Sequence, residues 1–92
     1  MLYYKHMNEL ERALKAIANR RRLALIKYLN SRREASVGEL AEAIKLSLKA
    51  TSKHLVILHS ASIVEREQRS LLMYYRLAEP LPRPVKFILS YL

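Results

Sequence analysis

Residues 36–61 read SVGELAEAIKLSLKATSKHLVILHSA, from Ser36 to Ala61, and the fold turns on them. Ser36 stands three residues before Glu39, the spacing at which a serine hydroxyl and a glutamate carboxylate satisfy each other's helix-end N–H groups. A short helix carrying Leu40, Ala41 and Ile44 follows. Lys45-Leu46 interrupts it, and Ser47 caps a second helix that reaches Ala61. Two helices joined by so short a turn form a helix-turn-helix. At ~100° per residue, Ala50, Thr51, His54, Ile57, Leu58 and Ala61 of the second helix fall on one side, the expected core face. Lys49, Ser52, Lys53, Val56 and Ser60 fall on the other.

Working outward, Asn8 and Glu11 form a capping pair for a first helix, with Leu10, Leu14 and Ile17 on one stripe. Asn19 caps another helix with Leu25, Ile26 and Leu29 inside, and the polar stretch from Ser31 to Ala35 reads as a loop. Beyond the helix-turn-helix the period falls to two: Leu71, Met73, Tyr75 and Leu77 alternate with Leu72, Tyr74 and Arg76, predicting a β-hairpin over 63–77 with its tip near Gln68-Arg69-Ser70. After the three prolines at 80, 82 and 84, the tail has apolar residues on nearly every side. Such a helix needs more than one surface to bury against, and in so small a chain the second surface is another subunit. The expected architecture is mainly α with a small β-hairpin: a winged helix-turn-helix of five helices plus a two-stranded wing. Residues 1–92 form a single domain, with 36–61 as helix-turn-helix, 63–77 as wing, and 7–18 and 82–92 as dimerisation helices. Leu10, Leu14, Val85, Ile88, Leu89 and Leu92 are the expected dimer contacts.

The 92 residues carry 17 Lys and Arg against 8 Glu and no Asp, a formal net charge of +9. Hydrophobic residues at 51% and charged residues at 27% exclude a disordered chain. Such a basic domain implies a polyanionic partner, nucleic acid or an anionic membrane surface. The membrane reading is disfavoured because the charge is spread along the chain and does not line one helix. The chain has no Cys, which removes disulfides, thiolate metal sites and cysteine nucleophiles. No apolar run approaches the ~20 residues of a membrane span, and no signal peptide is evident. The chain reads as cytoplasmic.

The outer face of the 48–61 helix has the chemistry of a major-groove reader. Ser47, Lys49 and Lys53 can donate to phosphates or guanine edges, Ser52 donates or accepts, and Val56 can meet a thymine methyl. The bland alternative is a pair of solvated lysines; their place in the second helix of a helix-turn-helix favours the DNA reading. Arg66, Gln68 and Arg69 on the wing, and Arg20 and Arg21 at a helix start, are expected backbone contacts. Glu65 and Glu67 dilute the wing charge. Arg22 points to the apolar side, where an internal ion pair is expected. Three arginines at a helix N-terminus oppose the macrodipole and call for compensation, from Glu or from phosphate.

The histidines make no metal site. His54 reads as a hydrogen-bonded core residue, His59 lies on another face, and His6 is isolated near the start. No Asp, Cys or His-x-x-x-His pair completes a coordination shell. There is no Gly-rich loop or supported nucleophile arrangement, so neither enzyme activity nor a cofactor is expected.

From Leu14 to Ala78 the chain resembles the ArsR-type (arsenical-resistance repressor) winged-helix regulators. The carrying segments are 14–23, LKAIANRRRL; 37–44, VGELAEAI; 46–58, LSLKATSKHLVIL; and 73–77, MYYRL. The resemblance implies a homodimer built from the first and last helices, gripping a pseudo-palindromic operator with half-sites about 34–36 Å apart. It also exposes departures. Where many members carry Cys-Val-Cys for metal sensing, this chain has Ser36-Val37-Gly38, and residues 81–92 contain no Asp, His or Glu. The resemblance therefore implies no metal response at the usual sites, and any effector would be a small molecule or a protein. Usual turn glycines are replaced by Lys45 and Ser62, and a wing-tip glycine by Ser70. Positive φ there would cost ~1–2 kcal/mol each. The function that follows is sequence-specific transcriptional regulation, as a repressor; the competing reading is an architectural or protein-interaction winged helix with non-specific affinity for DNA.

Overall fold

The computed structural model describes residues 2–5 and 7–92; His6 lies outside them. A 3-10 turn at Leu2–Tyr4 precedes α1 (Met7–Ile17), α2 (Arg20–Ser31), β1 (Ala35–Ser36), α3 (Val37–Ile44), α4 (Leu48–Ser60), β2 (Val64–Arg69), β3 (Leu72–Leu77) and α5 (Arg83–Leu89). The caps are where the side-chain chemistry places them. Asn19 Oδ1 accepts from the Arg21 and Arg22 N–H groups at 3.0 and 3.1 Å. Ser36 and Glu39 form the reciprocal capping box, and Ser47 Oγ accepts from Ala50 N–H at 3.1 Å. Asn8 is no cap: α1 has already begun at Met7.

The wing is part of a three-stranded sheet, not a two-stranded one, in the order β1-β3-β2. Ala35 pairs with Tyr75 and Ser36 with Tyr74, so the end of the stretch read as a loop is a buried strand. Two residues are too few to show alternation, and their partners lie far along the chain. The hairpin turns at Ser70-Leu71, between Arg69 and its partner Leu72, slightly later than expected.

The core closes where α2, α3 and α4 meet the sheet, and α5 packs against α1. Leu25, Ile26, Leu40, Leu55, Leu58 and Ile63 are fully buried, each contributing on the order of 1.5–3 kcal/mol by leaving water. Two expectations fail here. Ile57 is 43% exposed, while Leu55, on neither face of the wheel, is fully buried. The reason is that α4 packs chiefly on α3 and β2 and only lightly on α1, which rotates its buried side toward Thr51, Leu55 and Leu58. Val85 is fully buried in this chain's own core and is not available to a partner. Thr51 is also fully buried, and its hydroxyl finds no partner among the described residues.

The lone glycine, Gly38, sits in α3 and needs no special conformation, since an added Cβ would meet just Ser36 Oγ, at 3.9 Å. The left-handed positions belong instead to Lys45 (φ 55°), Ser62 (φ 60°) and Ser70 (φ 57°). Lys45 and Ser62 close α3 and α4 in the same way. Leu46 N–H reaches back to Ala41 and Lys45 N–H to Glu42; Ile63 N–H reaches Leu58 and Ser62 N–H reaches His59. This pair of hydrogen bonds satisfies orphaned carbonyls and demands a positive φ, hence its usual glycine. Lys45→Gly and Ser62→Gly should each stabilise the fold by ~0.5–1 kcal/mol, the relief of strain outweighing the added freedom of the unfolded chain. Urea titration should show a higher midpoint at unchanged slope.

Candidate nucleic-acid interface

Turning the side of α4 that carries Thr51, Leu55 and Leu58 inward leaves Lys49, Lys53 and Val56 exposed, with Ser52 half-buried beside them. All four lie on the outer face, as expected. Ser47 Oγ accepts from Ala50 N–H, and its hydroxyl proton remains free to donate. Leu48, 59% exposed in the first turn of α4, joins this surface. An apolar residue just after a cap ordinarily reads as core, so nothing in the sequence marks it. Arg20 and Arg21 are exposed at the start of α2, beside Ala43 and Ile44 at the end of α3.

The two faces of the wing differ in charge. Residues opposite one another across an antiparallel pair share a face. Arg66 opposes Tyr75 and Gln68 opposes Met73, whereas Glu65, Glu67 and Arg69 oppose Arg76, Tyr74 and Leu72. On the second face Arg69 reaches across the sheet over the Tyr74 ring, 4.6 Å from its centroid. There it grips both carboxylate oxygens of Glu34, with one bond at 2.7 Å, and touches Glu67 at 3.1 Å. Arg76 pairs with Glu65 at 3.3 Å and Glu67 at 3.4 Å. Arg69 holds the Glu34 and Glu67 carboxyls below their ordinary pKa, and they in turn raise its own. Arg69, expected at DNA, is thus committed to a strap across three strands. Arg66 and Gln68 are exposed on the opposite face, and Arg66 makes no ion pair among the described residues.

Arg22 makes no ion pair either. Its Nε donates to Ala16 O at 2.6 Å and its Nη2 to Lys15 O at 3.3 Å, while Nη1 meets His54 Nδ1 at 3.1 Å. For Arg22 the compensation comes from the carbonyls at the end of α1 and not from Glu; the Arg20 and Arg21 side chains have no such partner among the described residues. Because arginine can only donate, Nδ1 of His54 is the acceptor and its proton sits on Nε2. Burial, then the charges of Arg22 and Arg21, hold the His54 pKa below the ordinary histidine value.

A separate apolar surface lies at the ends of the chain. Leu10 and Leu14 of α1 are 41% and 47% exposed, and Phe87 and Tyr91 are 66% and 73% exposed, the two rings meeting edge to face at 5.7 Å. Ile88, Leu89 and Leu92, expected at a partner, are partly buried against this chain's own core. The tail's exposed side was hidden from the sequence because apolar residues surround it.

A family model described as a helix-turn-helix domain matches residues 17–67, more than half the chain. The transcriptional activator HlyU of Vibrio cholerae is 38% identical over 65 residues, which span 71% of this chain and 59% of that protein. The solution structure of Mb0332 from Mycobacterium bovis, described as a homodimeric winged helix-turn-helix DNA-binding domain of a possible ArsR-family regulator, superposes with a TM-score of 0.82. It is 30% identical and covers 92% of this chain and 79% of that one. This chain belongs to the ArsR-type winged helix-turn-helix family. The transcriptional repressor BigR from Xylella fastidiosa superposes at a TM-score of 0.75, with 29% identity over 97% of this chain and 91% of that one. Within the family fold, the left-handed turns are formed here by Lys45, Ser62 and Ser70, none of them glycine.

The His54 contact has a pH signature. The unfolded histidine takes up a proton below its ordinary pKa of about 6.5, while the folded one resists it. Stability should therefore be undiminished above that pH and fall as the pH drops through and below it. His54→Gln, which can still accept from Arg22, should flatten that part of the profile in urea melts taken from about pH 7.5 to about pH 5.

Proposed function

We propose that this chain regulates transcription as a sequence-specific, homodimeric DNA-binding repressor. The observation that carries the reading is the outer face of α4, where Lys49, Ser52, Lys53 and Val56 stand together on a helix whose opposite side is locked into the core. Lys49 and Lys53 would donate to guanine edges or phosphate, and Val56 would meet a thymine methyl. Arg66 and Gln68 on the unstrapped face of the wing, and Arg20 and Arg21 at the start of α2, would hold the backbone. A second copy would pair through Leu10, Leu14, Phe87 and Tyr91, setting two recognition helices about one turn of DNA apart. That Mb0332 is described as homodimeric and BigR as a repressor supports this assignment, while HlyU is described as an activator. No helix among the described residues is long and apolar enough to cross a membrane.

Selection from a randomised duplex library at about 0.2 M salt, where counterion-driven binding is weakened, should recover one palindromic motif. Recovery of no motif, with affinity that merely fades as salt rises, would move the chain to the architectural class. On the recovered site, Lys49→Ala and Lys53→Ala should each cost ~1–3 kcal/mol of discrimination if they read bases. If they touch phosphate alone, binding should weaken alike on all sequences, with the salt slope lower by about one per lysine.

Phe87→Glu places a charge on the exposed side of α5, away from the core. Light scattering should show the wild-type chain as a dimer at micromolar concentration and this variant as a folded monomer.

A further inference from the structure

Between α1 and α4 runs a cleft of about 490 Å³, within the range that small-ligand sites occupy. Its α1 wall carries Glu11, Arg12 and Lys15, its α4 wall carries Val56 and Ile57, and Arg22 from α2 also lines it. The two aliphatic residues are 50% and 43% exposed on adjacent positions of one helix. Three cations face one carboxylate. That carboxylate, Glu11, pairs with Lys15 at 3.5 Å, but both side chains are largely in water, so the pair holds neither strongly. Arg12 makes no ion pair among the described residues. Arg22 commits three donors to Ala16, Lys15 and His54, which leaves two of its five N–H groups free.

We infer that this cleft binds a small amphipathic anion, an organic carboxylate with an apolar body. The carboxylate would sit on Arg12 and the free N–H groups of Arg22, and the body would cover Val56 and Ile57. A polar phosphate chain would leave that aliphatic wall wet, and a neutral apolar molecule would leave the cations unused. Leu10 and Leu14 lie on a different side of α1 from Arg12 and Lys15, so a dimer formed through them leaves the cleft open. The occupant would wedge between α1 and the helix carrying Lys49 and Lys53, and would cover Val56. Occupancy therefore weakens operator binding, a consequence that rests on the DNA-binding reading; the site itself does not.

The test is a titration of the ¹⁵N-labelled chain with decanoate, followed by NMR. Shifts are expected at the Arg22 Nε–H and at the backbone amides of Ile57 and Ser60. Arg12→Gln and Ile57→Gln, both at exposed positions, should each weaken decanoate by roughly tenfold, through loss of a charge-assisted bond and of apolar contact respectively. Decanol should bind at least roughly tenfold more weakly than decanoate. Shifts gathered at Tyr3, Phe87 and Tyr91, equal binding of decanol, or unchanged affinity in both variants would overturn the site. Operator DNA is added last. Decanoate binding intact in a chain that selects no DNA motif supports the cleft and overturns the repressor reading alone. Decanoate bound in the cleft with operator affinity unchanged overturns the coupling.

Discussion

Arg22 donates to two carbonyls at the end of α1 and to the ring of His54 midway along α4. Helices α1 and α4 are thereby held by one planar group. Elsewhere α1 and α4 touch little, so this junction sets their spacing and, with it, the cleft that opens beside them. It also resolves an electrostatic conflict. A cation at the first turn of α2 is unfavourable toward the helix it begins and favourable toward the carbonyl end of the helix before it. The guanidinium turns back to α1, and the unfavourable charge becomes the C-terminal cap of its neighbour.

The same chemistry divides the basic residues into two populations. Arg69 and Arg76 spend their charge on Glu34, Glu65 and Glu67, which makes the outer face of the wing a strap with no excess of positive charge. Lys49, Lys53 and Arg66 are exposed without acidic partners among the described residues. The formal charge of +9 is a property of the whole chain, but the field that a polyanion meets comes from cations without acidic partners, and on this side of the molecule these are Lys49 and Lys53 on α4, Arg66 on the inner side of the wing, and Arg20 and Arg21 at the start of α2. Stiffness and attraction are assigned to opposite faces of the same hairpin.

Much of this was legible in the residues. Caps act over three residues, so Asn19, Ser36, Glu39 and Ser47 announce their helices wherever they stand. The wheel of α4 found the outer face correctly because lysines and serines belong there in nearly any packing. It misplaced Ile57 and overlooked Leu55, because the centre of a buried face depends on which neighbours cover it. Alternation found the hairpin and missed β1, whose two residues have no period of their own. The tail showed the reverse difficulty: with apolar residues all round, its pattern could not say that Val85 faces inward while Phe87 and Tyr91 face out.

By itself, the sequence determined the starts of α2, α3 and α4, the hairpin and the lack of thiolate ligands. These depend on interactions between residues a few positions apart, and such interactions survive any arrangement of the whole. The tertiary structure alone decided that Arg69 is a strap, that Arg22 joins two helices through His54, and that Arg12, Lys15, Val56 and Ile57 share a cleft. Each of these brings together groups from different elements. A charged or aliphatic side chain has the same local pattern whether it meets water, a carboxylate or a carbonyl, so its partner is set by the packing of the elements that carry it.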